Sequence, residues 1–167
     1  MKGVRLYLVR HGIAAARGRQ WRDDRKRPLT SKGRSRMRAA VRGLSEMDVH
    51  LDLVLTSPLV RAVQTAELLV AGLAPKPLLA ETVSLEPAAP PTAVAAALRM
   101  HRRAKSIALV GHEPAIGRLA EWLLGAAKPV EFKKGAICCL ECASQPAEGS
   151  GRLIWHATPA MLRALGE

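Results

Sequence analysis

Two arginines and two histidines lie at or just after short apolar runs of this sequence: Arg10, His11, Arg61 and His112. Arginine offers a planar fork of donors that matches phosphate oxygens, and its charge is permanent at any working pH. A neutral histidine is a nucleophile toward phosphorus and can carry a phosphoryl group covalently. Gathered around one anion, these four side chains would bind a phosphoryl group and stabilise the charge on its oxygens during transfer.

The tripeptide Arg10-His11-Gly12 ends an apolar run at residues 4–9 that is rich in β-forming residues and is typical of a buried strand. Alone, such a tripeptide is more often a solvated strand end than a site. Two further strand-like runs, residues 51–56 and 106–110, each lead into one of the other candidate residues. Because parallel strands end along one edge of a sheet, we expect all four side chains to converge there.

Strand-like and helix-like patterns alternate along most of the chain. This alternation predicts an α/β fold in a single domain, residues 1–167, built as a three-layer α/β/α sandwich whose mostly parallel central sheet has an antiparallel end. After the first strand we predict a long Arg-rich segment at 13–28, a helix capped by Thr30 or Ser31 that runs to about Ser45, and the strand at 51–56. Next come a helix at 59–71 with Ser57 as N-cap and Pro58 in its first turn, a short strand within 77–85, and a helix capped by Thr92 that runs to about Arg102. The chain ends with the strand at 106–110, a helix at 115–124 that follows Pro114 and stops at Gly125, and strands at 136–140 and 152–156.

The chain of 167 residues carries a net charge of +12 and has a pI of about 10.6, which suggests an anionic partner such as nucleic acid, an acidic membrane or a phosphorylated substrate. Aromatic residues make up 3% of the chain, so base stacking by a nucleic-acid binder is poorly supported. A genome that favours arginine codons would explain the charge equally well. The chain contains no apolar run long enough to cross a bilayer and no signal-like start, so we expect a cytoplasmic protein and no membrane partner.

The three cysteines, Cys138, Cys139 and Cys142, could seed a metal site. A structural zinc site needs four ligands, however, and no second ligand cluster accompanies them. The run around them alternates like a strand, so we interpret them as reduced thiols packed in the core. We therefore expect no metal and no cofactor.

Three blocks of the sequence resemble the histidine phosphatase superfamily and, within it, the small SixA-like phosphohistidine phosphatases. They lie at residues 8–12, 56–66 and 110–114, with weaker support at 27–33, 85–87, 132–135 and 155–159. The resemblance implies a phosphoglycerate mutase-like fold and a phosphatase that needs no metal. It implies that His11 is the nucleophile that becomes phosphohistidine, that Arg10 and Arg61 bind phosphate, and that His112 is the second histidine of the phosphate pocket.

The general acid departs from the family pattern. Larger members place a Glu or Asp on an insertion after the third strand, where it protonates the leaving oxygen. Glu81 and Glu86 fall in that neighbourhood, but neither matches a firm motif, and a lone Glu in a Pro-rich loop is more often simply solvated. The missing insertion predicts a shallow, open site rimmed by residues 17–27.

Such a site suits a phosphorylated side chain on a partner protein, for example phosphohistidine on a phosphotransfer domain. Two alternatives remain at this point: a phosphatase of a small phosphorylated metabolite, and a non-catalytic module that binds nucleic acid or another anion with steep salt dependence. Charge alone does not require three motifs at strand ends, which argues against the non-catalytic module.

Overall fold

The computed structural model describes residues 3–143 and 145–167 and builds these residues around one six-stranded sheet. The spatial order of its strands is β3-β2-β4-β1-β5-β6, and the first four run parallel. Strand β5 runs antiparallel to β1, and β6 runs antiparallel to β5. The strands are β1 (Val4–Arg10), β2 (Leu53–Thr56), β3 (Leu78–Glu81), β4 (Ser106–Gly111), β5 (Ile137–Cys142) and β6 (Gly151–Ala157).

Helices cover both faces of the sheet, which confirms the three-layer sandwich. Residues of α1, α2 and α5 form one core with one face, and residues of α3 and α4 form a second core with the other. None of the described helices is both long enough and apolar enough to cross a lipid bilayer. The helices are α1 (Ser31–Glu46), α2 (Val60–Gly72), α3 (Pro91–Arg99), α4 (Ala115–Leu124) and α5 (Pro159–Leu165).

Strand β1 shows why the sheet is buried on both sides. Leu6 and Leu8 pack into the core shared with α3 and α4, whereas Tyr7 and Val9 pack into the core on the opposite face. Successive side chains of a strand point to opposite faces, so a strand that is covered twice reads as a continuous apolar run. Strand β1 is thereby held rigidly in the middle of the sheet, and its C-terminal end is a fixed platform.

The three cysteines are free and buried in β5. Cys138 and Cys142 belong to one core, and Cys139 belongs to the other, so their thiols face opposite sides of the sheet. Burial raises the pKa of the Cys138 thiol to about 12 and the pKa of Cys139 to about 11. These thiols are packed as small hydrophobic groups, as the alternation of the sequence indicated.

Some helix termini follow the sequence signals and others do not. Thr30 caps α1 as expected, because its hydroxyl accepts a hydrogen bond from the backbone N–H of Gly33 at 2.9 Å. Gly125 ends α4 in the left-handed conformation, with φ of 62°. The prediction that Thr92 caps a helix was wrong, because α3 begins at Pro91 and its N-cap residue is Pro90. That helix also ends at Arg99 rather than near Arg102, and α5 was not predicted.

The expected N-cap at Ser57 was also wrong. Helix α2 begins only at Val60, and Pro58 precedes it instead of opening its first turn. The hydroxyl of Ser57 does accept a hydrogen bond from the N–H of Leu59 at 3.3 Å, but it also lies 2.8 Å from the ring of His112. A tertiary partner therefore sets the conformation of this serine.

Candidate active site

The register of β1 and β4 brings the two candidate histidines together. Arg10, at the end of β1, lies opposite Gly111, at the end of β4. The backbone N–H of His11 donates to the carbonyl of Gly111 at 3.1 Å, so the next residue on each strand leaves the sheet at the same place. The ring centroids of His11 and His112 are consequently 5.1 Å apart.

Strand β2 delivers the second arginine from the other side of β4. Thr56 lies opposite Val110, and the N–H of Ser57 donates to the carbonyl of Val110 at 3.0 Å. The chain then turns into α2, whose second residue is Arg61. Three neighbouring parallel strands thus end in one place and bring together four residues that are far apart in sequence.

These residues line a cavity of about 520 Å³ at the carboxyl edge of the sheet. Its wall is strongly basic, and it also includes two carboxylates from the described residues, Asp24 and Glu113. A concave site with convergent cations at this edge of an open α/β sheet suits a small anion or an anionic group of a larger substrate. The basic side chains of the wall are Arg10, His11, Arg17, Arg27, Arg61, His112 and Lys134.

His11 presents a defined nitrogen to this cavity. Its Nδ1 lies 2.7 Å from the carbonyl oxygen of Gly12, which can only accept, so Nδ1 carries the hydrogen and Nε2 carries the lone pair. The N–H of Gly12 in turn donates to the hydroxyl of Thr65 at 3.1 Å, which holds this loop against α2. Burial, together with the charges of Arg61 and Arg10, lowers the pKa of His11 to about 4. The imidazole is therefore neutral and nucleophilic at physiological pH.

Each arginine is held by hydrogen bonds from its terminal nitrogens, while its Nε–H group has no partner in the described part of the chain. Nη1 of Arg10 donates to the carbonyl of Phe132 at 2.7 Å. Nη1 and Nη2 of Arg61 donate to the backbone carbonyl and to Oδ2 of Asp24, at 2.8 and 3.0 Å. The Nε atoms of both arginines are buried and have no hydrogen-bond partner among the described residues. Burial lowers the pKa of each guanidinium, but both remain charged.

His112 repeats this pattern. Its Nε2 lies 2.8 Å from Oγ of Ser57, while its Nδ1 is buried without a partner in the described part of the chain. Burial and the charges of His11 and Arg61 lower its pKa to about 3. Unpartnered buried polar atoms cost free energy, and these three all belong to residues that line one cavity.

Asp24 and Arg27 are site residues that the sequence did not reveal. Nε of Arg27 donates to Oδ1 of Asp24 at 2.9 Å, and its Nη1 donates to the carbonyl of Ala15 at 2.9 Å. Burial raises the pKa of Asp24, but the hydrogen bonds and charges of Arg27 and Arg61 outweigh it, and the net pKa is lowered. The pair Asp23-Asp24 inside an Arg-rich segment was the one available signal.

The segment that carries them is folded back on itself. The N–H of Ala15 donates to the carbonyl of Pro28 at 2.8 Å, and the N–H of Thr30 donates to the carbonyl of Ile13 at 3.0 Å. Two short 3₁₀ turns, Arg19–Trp21 and Asp24–Lys26, shape its outer part. A pinned base and a folded tip place Asp24 beside Arg61, near the start of α2.

Glu81 and Glu86 do not line the cavity. Glu86 accepts two hydrogen bonds from Arg25, at 3.0 and 3.1 Å, and Glu81 is exposed at the last position of β3. Their expected role as proton donors finds no support in this geometry. Glu113, which does line the cavity, directs Oε1 to the backbone N–H of Gly117 at 2.9 Å, and burial raises the pKa of this carboxyl group.

Comparison with known proteins points to one superfamily. The family model of the histidine phosphatase superfamily (branch 1) matches residues 6–83. The phosphohistidine phosphatase SixA of Escherichia coli is 29% identical over 163 residues, which is 96% of this chain and 97% of that protein. An uncharacterized protein of Picosynechococcus is 40% identical over 121 residues, which is 71% of this chain and 72% of that protein.

Solved structures agree on the fold. The structure of the protein histidine phosphatase SixA complexed with tungstate superposes with a TM-score of 0.83 at 27% identity, covering 94% of this chain and 98% of that one. A phosphoglycerate mutase from Bacillus anthracis superposes with a TM-score of 0.75 at 16% identity, covering 99% and 97%. The second match shows the shared fold alone, which is the phosphoglycerate mutase-like fold expected from the sequence.

Proposed function

The chain belongs to the histidine phosphatase superfamily and is SixA-like, and we propose that it hydrolyses phosphate groups through a covalent phosphohistidine on His11. One observation carries the proposal. The buried, unpartnered atoms Nε of Arg10, Nε of Arg61 and Nδ1 of His112 belong to the same cavity wall as the neutral nucleophile His11. Cations and hydrogen-bond donors gathered beside a neutral nucleophile are the groups that stabilise a transferring phosphoryl group.

In the first step, Nε2 of His11 attacks phosphorus. The N–P bond forms, the bond from phosphorus to the leaving atom breaks, and its electron pair departs with the leaving group. The hydrogen bond from Nδ1 to the carbonyl of Gly12 strengthens as the ring becomes cationic. Arg10, Arg61 and His112 hold the equatorial oxygens, and the two guanidinium charges supply most of the stabilisation that this reaction demands.

In the second step, water attacks the phosphorus of phospho-His11. The P–N bond breaks, its electron pair returns to Nε2, and the ring leaves the step neutral with its hydrogen still on Nδ1. The two hydrogens of the water depart on dihydrogen phosphate. The lowered pKa of His11 favours this return to the neutral ring.

We propose phosphohistidine on a partner protein as the substrate. The similarity to the SixA protein of Escherichia coli along nearly the whole chain supports this choice, and so does the net charge of +12. Exposed cations of the segment beside the cavity, such as Arg19 and Arg22, would attract an acidic protein surface. A cavity of about 520 Å³ would also admit a small phosphorylated metabolite, which is the alternative.

A substrate panel in excess chelator tests the proposal. A phosphohistidine protein, phosphoserine and phosphotyrosine peptides, and small phosphomonoesters are compared for kcat/KM with the wild type, His11→Ala and, as a matched control, the surface variant His101→Ala. We expect turnover in chelator that is lost in His11→Ala and kept in the control, and fastest turnover on the phosphohistidine protein. Activity that survives His11→Ala or vanishes with chelator contradicts the mechanism, and a preference for a small metabolite contradicts the substrate.

A further inference from the structure

Asp24 is a carboxylate in a cavity that otherwise attracts anions. Its Oδ2 accepts from Nη2 of Arg61 and its Oδ1 from Nε of Arg27, each at about 3 Å. Nε of Arg17 lies 3.5 Å from Oδ1. Arg61 would keep one contact with this segment even without the Asp24 carboxylate, because its Nη1 also donates to the backbone carbonyl of Asp24. Anchoring Arg61 therefore does not by itself explain why a carboxylate stands at this position.

The carboxylate keeps the capacity to accept. An ionised carboxylate has about four lone-pair sites, and the close hydrogen bonds from Arg61 and Arg27 use two of them. Its side chain is 44% exposed and lines the cavity, so a substrate group that reaches the cavity can contact it. A carboxylate held by two arginines is a poor proton donor, because both cations favour its ionised form.

The chemistry of the leaving group gives this acceptor a use. An alcohol leaves a phosphate ester with a negative oxygen that must gain a proton, and Asp24 has none to give. A phosphorylated imidazole reacts as a cation, with its distal ring nitrogen protonated. When the P–N bond breaks, the electron pair stays on the leaving nitrogen, the distal proton stays where it is, and the ring departs as neutral imidazole.

We propose that Asp24 is the specificity-determining residue of this site: its carboxylate accepts a hydrogen bond from the protonated ring nitrogen of a phosphorylated imidazole and so selects P–N substrates, whose cationic ring leaves as neutral imidazole, over P–O substrates, whose leaving oxygen needs a proton. This inference rests on the proposed function, since it takes His11 as the nucleophile. It assigns the two sides of the transferring group to different residues. Arg10, Arg61 and His112 hold the phosphoryl oxygens, and Asp24 contacts the leaving group.

The test compares Asp24→Asn with the matched control Asp23→Asn. The amide of Asn keeps an oxygen that accepts from an arginine and loses the charge. Asp23 is a suitable control because its carboxylate accepts from the N–H of Arg25 at 3.0 Å and does not line the cavity. The substrates are a phosphohistidine peptide and p-nitrophenyl phosphate, whose leaving group needs no proton. Orthophosphate affinity is measured by calorimetry as a readout of the phosphate-binding side chains.

We expect Asp24→Asn to lower kcat/KM on the phosphohistidine peptide by about tenfold or more, the range of one charge-assisted hydrogen bond. Turnover of p-nitrophenyl phosphate should fall by a clearly smaller factor, because the weakened contact with Arg61 affects both substrates and the lost contact with the leaving group affects only the phosphohistidine peptide. Asp23→Asn should alter none of these values. Asp24→Ser is measured in parallel, so that the conclusion stands if the amide variant folds poorly.

Three results would overturn the inference. An equal loss on both substrates together with weaker orthophosphate binding would mean that Asp24 only positions Arg61. A gain on both substrates would mean that it merely occupies the anion site, and no change would remove it from the reaction. Failure of the proposed function is seen separately, because His11→Ala would then still turn over the phosphohistidine peptide whatever stands at position 24.

Discussion

Nε2 of His112 lies 2.8 Å from Oγ of Ser57, and this serine is the one hydrogen-bond partner of the ring among the described residues. The serine oxygen also accepts from the N–H of Leu59 at 3.3 Å, and we expect its own hydrogen to be donated to Nε2. The neutral ring then carries its hydrogen on the buried, unpartnered Nδ1. In that tautomer His112 can donate to an anion in the cavity, and the residue that selects the tautomer, Ser57, does not itself line the cavity.

Replacing this serine should weaken the phosphate site without unfolding the protein. In Ser57→Ala, the ring of His112 loses the partner that selects its tautomer, and we expect kcat/KM to fall by about tenfold, the value of one buried hydrogen bond. Orthophosphate affinity should fall in parallel. The exposed Ser45→Ala serves as the control. Unchanged kinetics in Ser57→Ala would show that the tautomer of His112 does not depend on this contact.

A phosphoryl group should be trapped on His11. Rapid acid-free quenching during turnover, followed by peptide mass spectrometry, should find one added phosphoryl group on the peptide that contains His11. The variant His11→Ala should show none, whereas His50→Ala, which alters an exposed histidine outside the cavity lining, should label normally. Labelling of a different residue in an active enzyme would refute the assignment of the nucleophile.

Arg61→Lys should be far more harmful than its conserved charge suggests. Lysine cannot keep the two contacts with Asp24 and also offer an Nε donor to phosphate, because it lacks the planar fork. We expect a loss of about 2–4 kcal/mol in transition-state stabilisation, measured as kcat/KM. Circular dichroism should show a folded protein, and Arg118→Lys on the exposed side of α4 should behave as wild type. Near-normal turnover in Arg61→Lys would exclude it as a phosphate ligand.

The buried histidines should make folding stability depend on pH. The pKa of His11 is about 4 and that of His112 is about 3 in the folded protein, against an ordinary value of 6.5. Between pH 6.5 and about 4, the two imidazole rings are protonated in the unfolded chain but stay neutral in the folded protein. The free energy of unfolding therefore falls as the pH is lowered through this window. The slope should approach about 1.4 kcal/mol per pH unit for each ring. The free energy of unfolding is measured by urea denaturation at several pH values, and it should fall less steeply with decreasing pH in His11→Ala than in the wild type. Equal pH dependence in the two proteins would contradict the lowered pKa of His11.

Ionic strength should distinguish a protein substrate from a small one. The exposed cations of residues 17–27 would speed encounter with an acidic protein surface at low salt, and screening weakens this attraction as salt rises. We expect kcat/KM on a phosphohistidine protein to exceed that on a small phosphomonoester at low salt, with the gap narrowing at high salt. A salt-independent preference for a small sugar phosphate would contradict a protein substrate.

The framework of this site was predictable from sequence because it depends on local patterns. Apolar runs mark the strands, a parallel sheet aligns their carboxyl ends, and Arg10, His11, Arg61 and His112 follow from that alignment. The strand-and-helix alternation predicted the layers for the same reason.

The positions that sequence reasoning missed depend on contacts between distant segments. Asp24 reaches the cavity only because the segment that carries it is pinned at its base and drawn toward Arg61, which no local pattern encodes. Ser57 carries a strong capping signal, but its contact with His112 competes with that signal. Helix α5, of seven residues, is too short for a periodic apolar pattern to stand out.

The Arg27–Asp24 pair sits on an excursion of the chain whose two ends meet at the N–H of Ala15 and the carbonyl of Pro28. Mutation can therefore lengthen, shorten or recharge this excursion without moving β1, β4 or the histidines. Asp24, which we propose contacts the leaving group, lies on this segment, whereas His11 and His112 follow β1 and β4; the segment touches the phosphate-binding residues through Arg61. We expect natural variation in leaving-group preference to concentrate in residues 15–28, and exchanging this segment between relatives should transfer the preference while His11 and His112 stay unchanged.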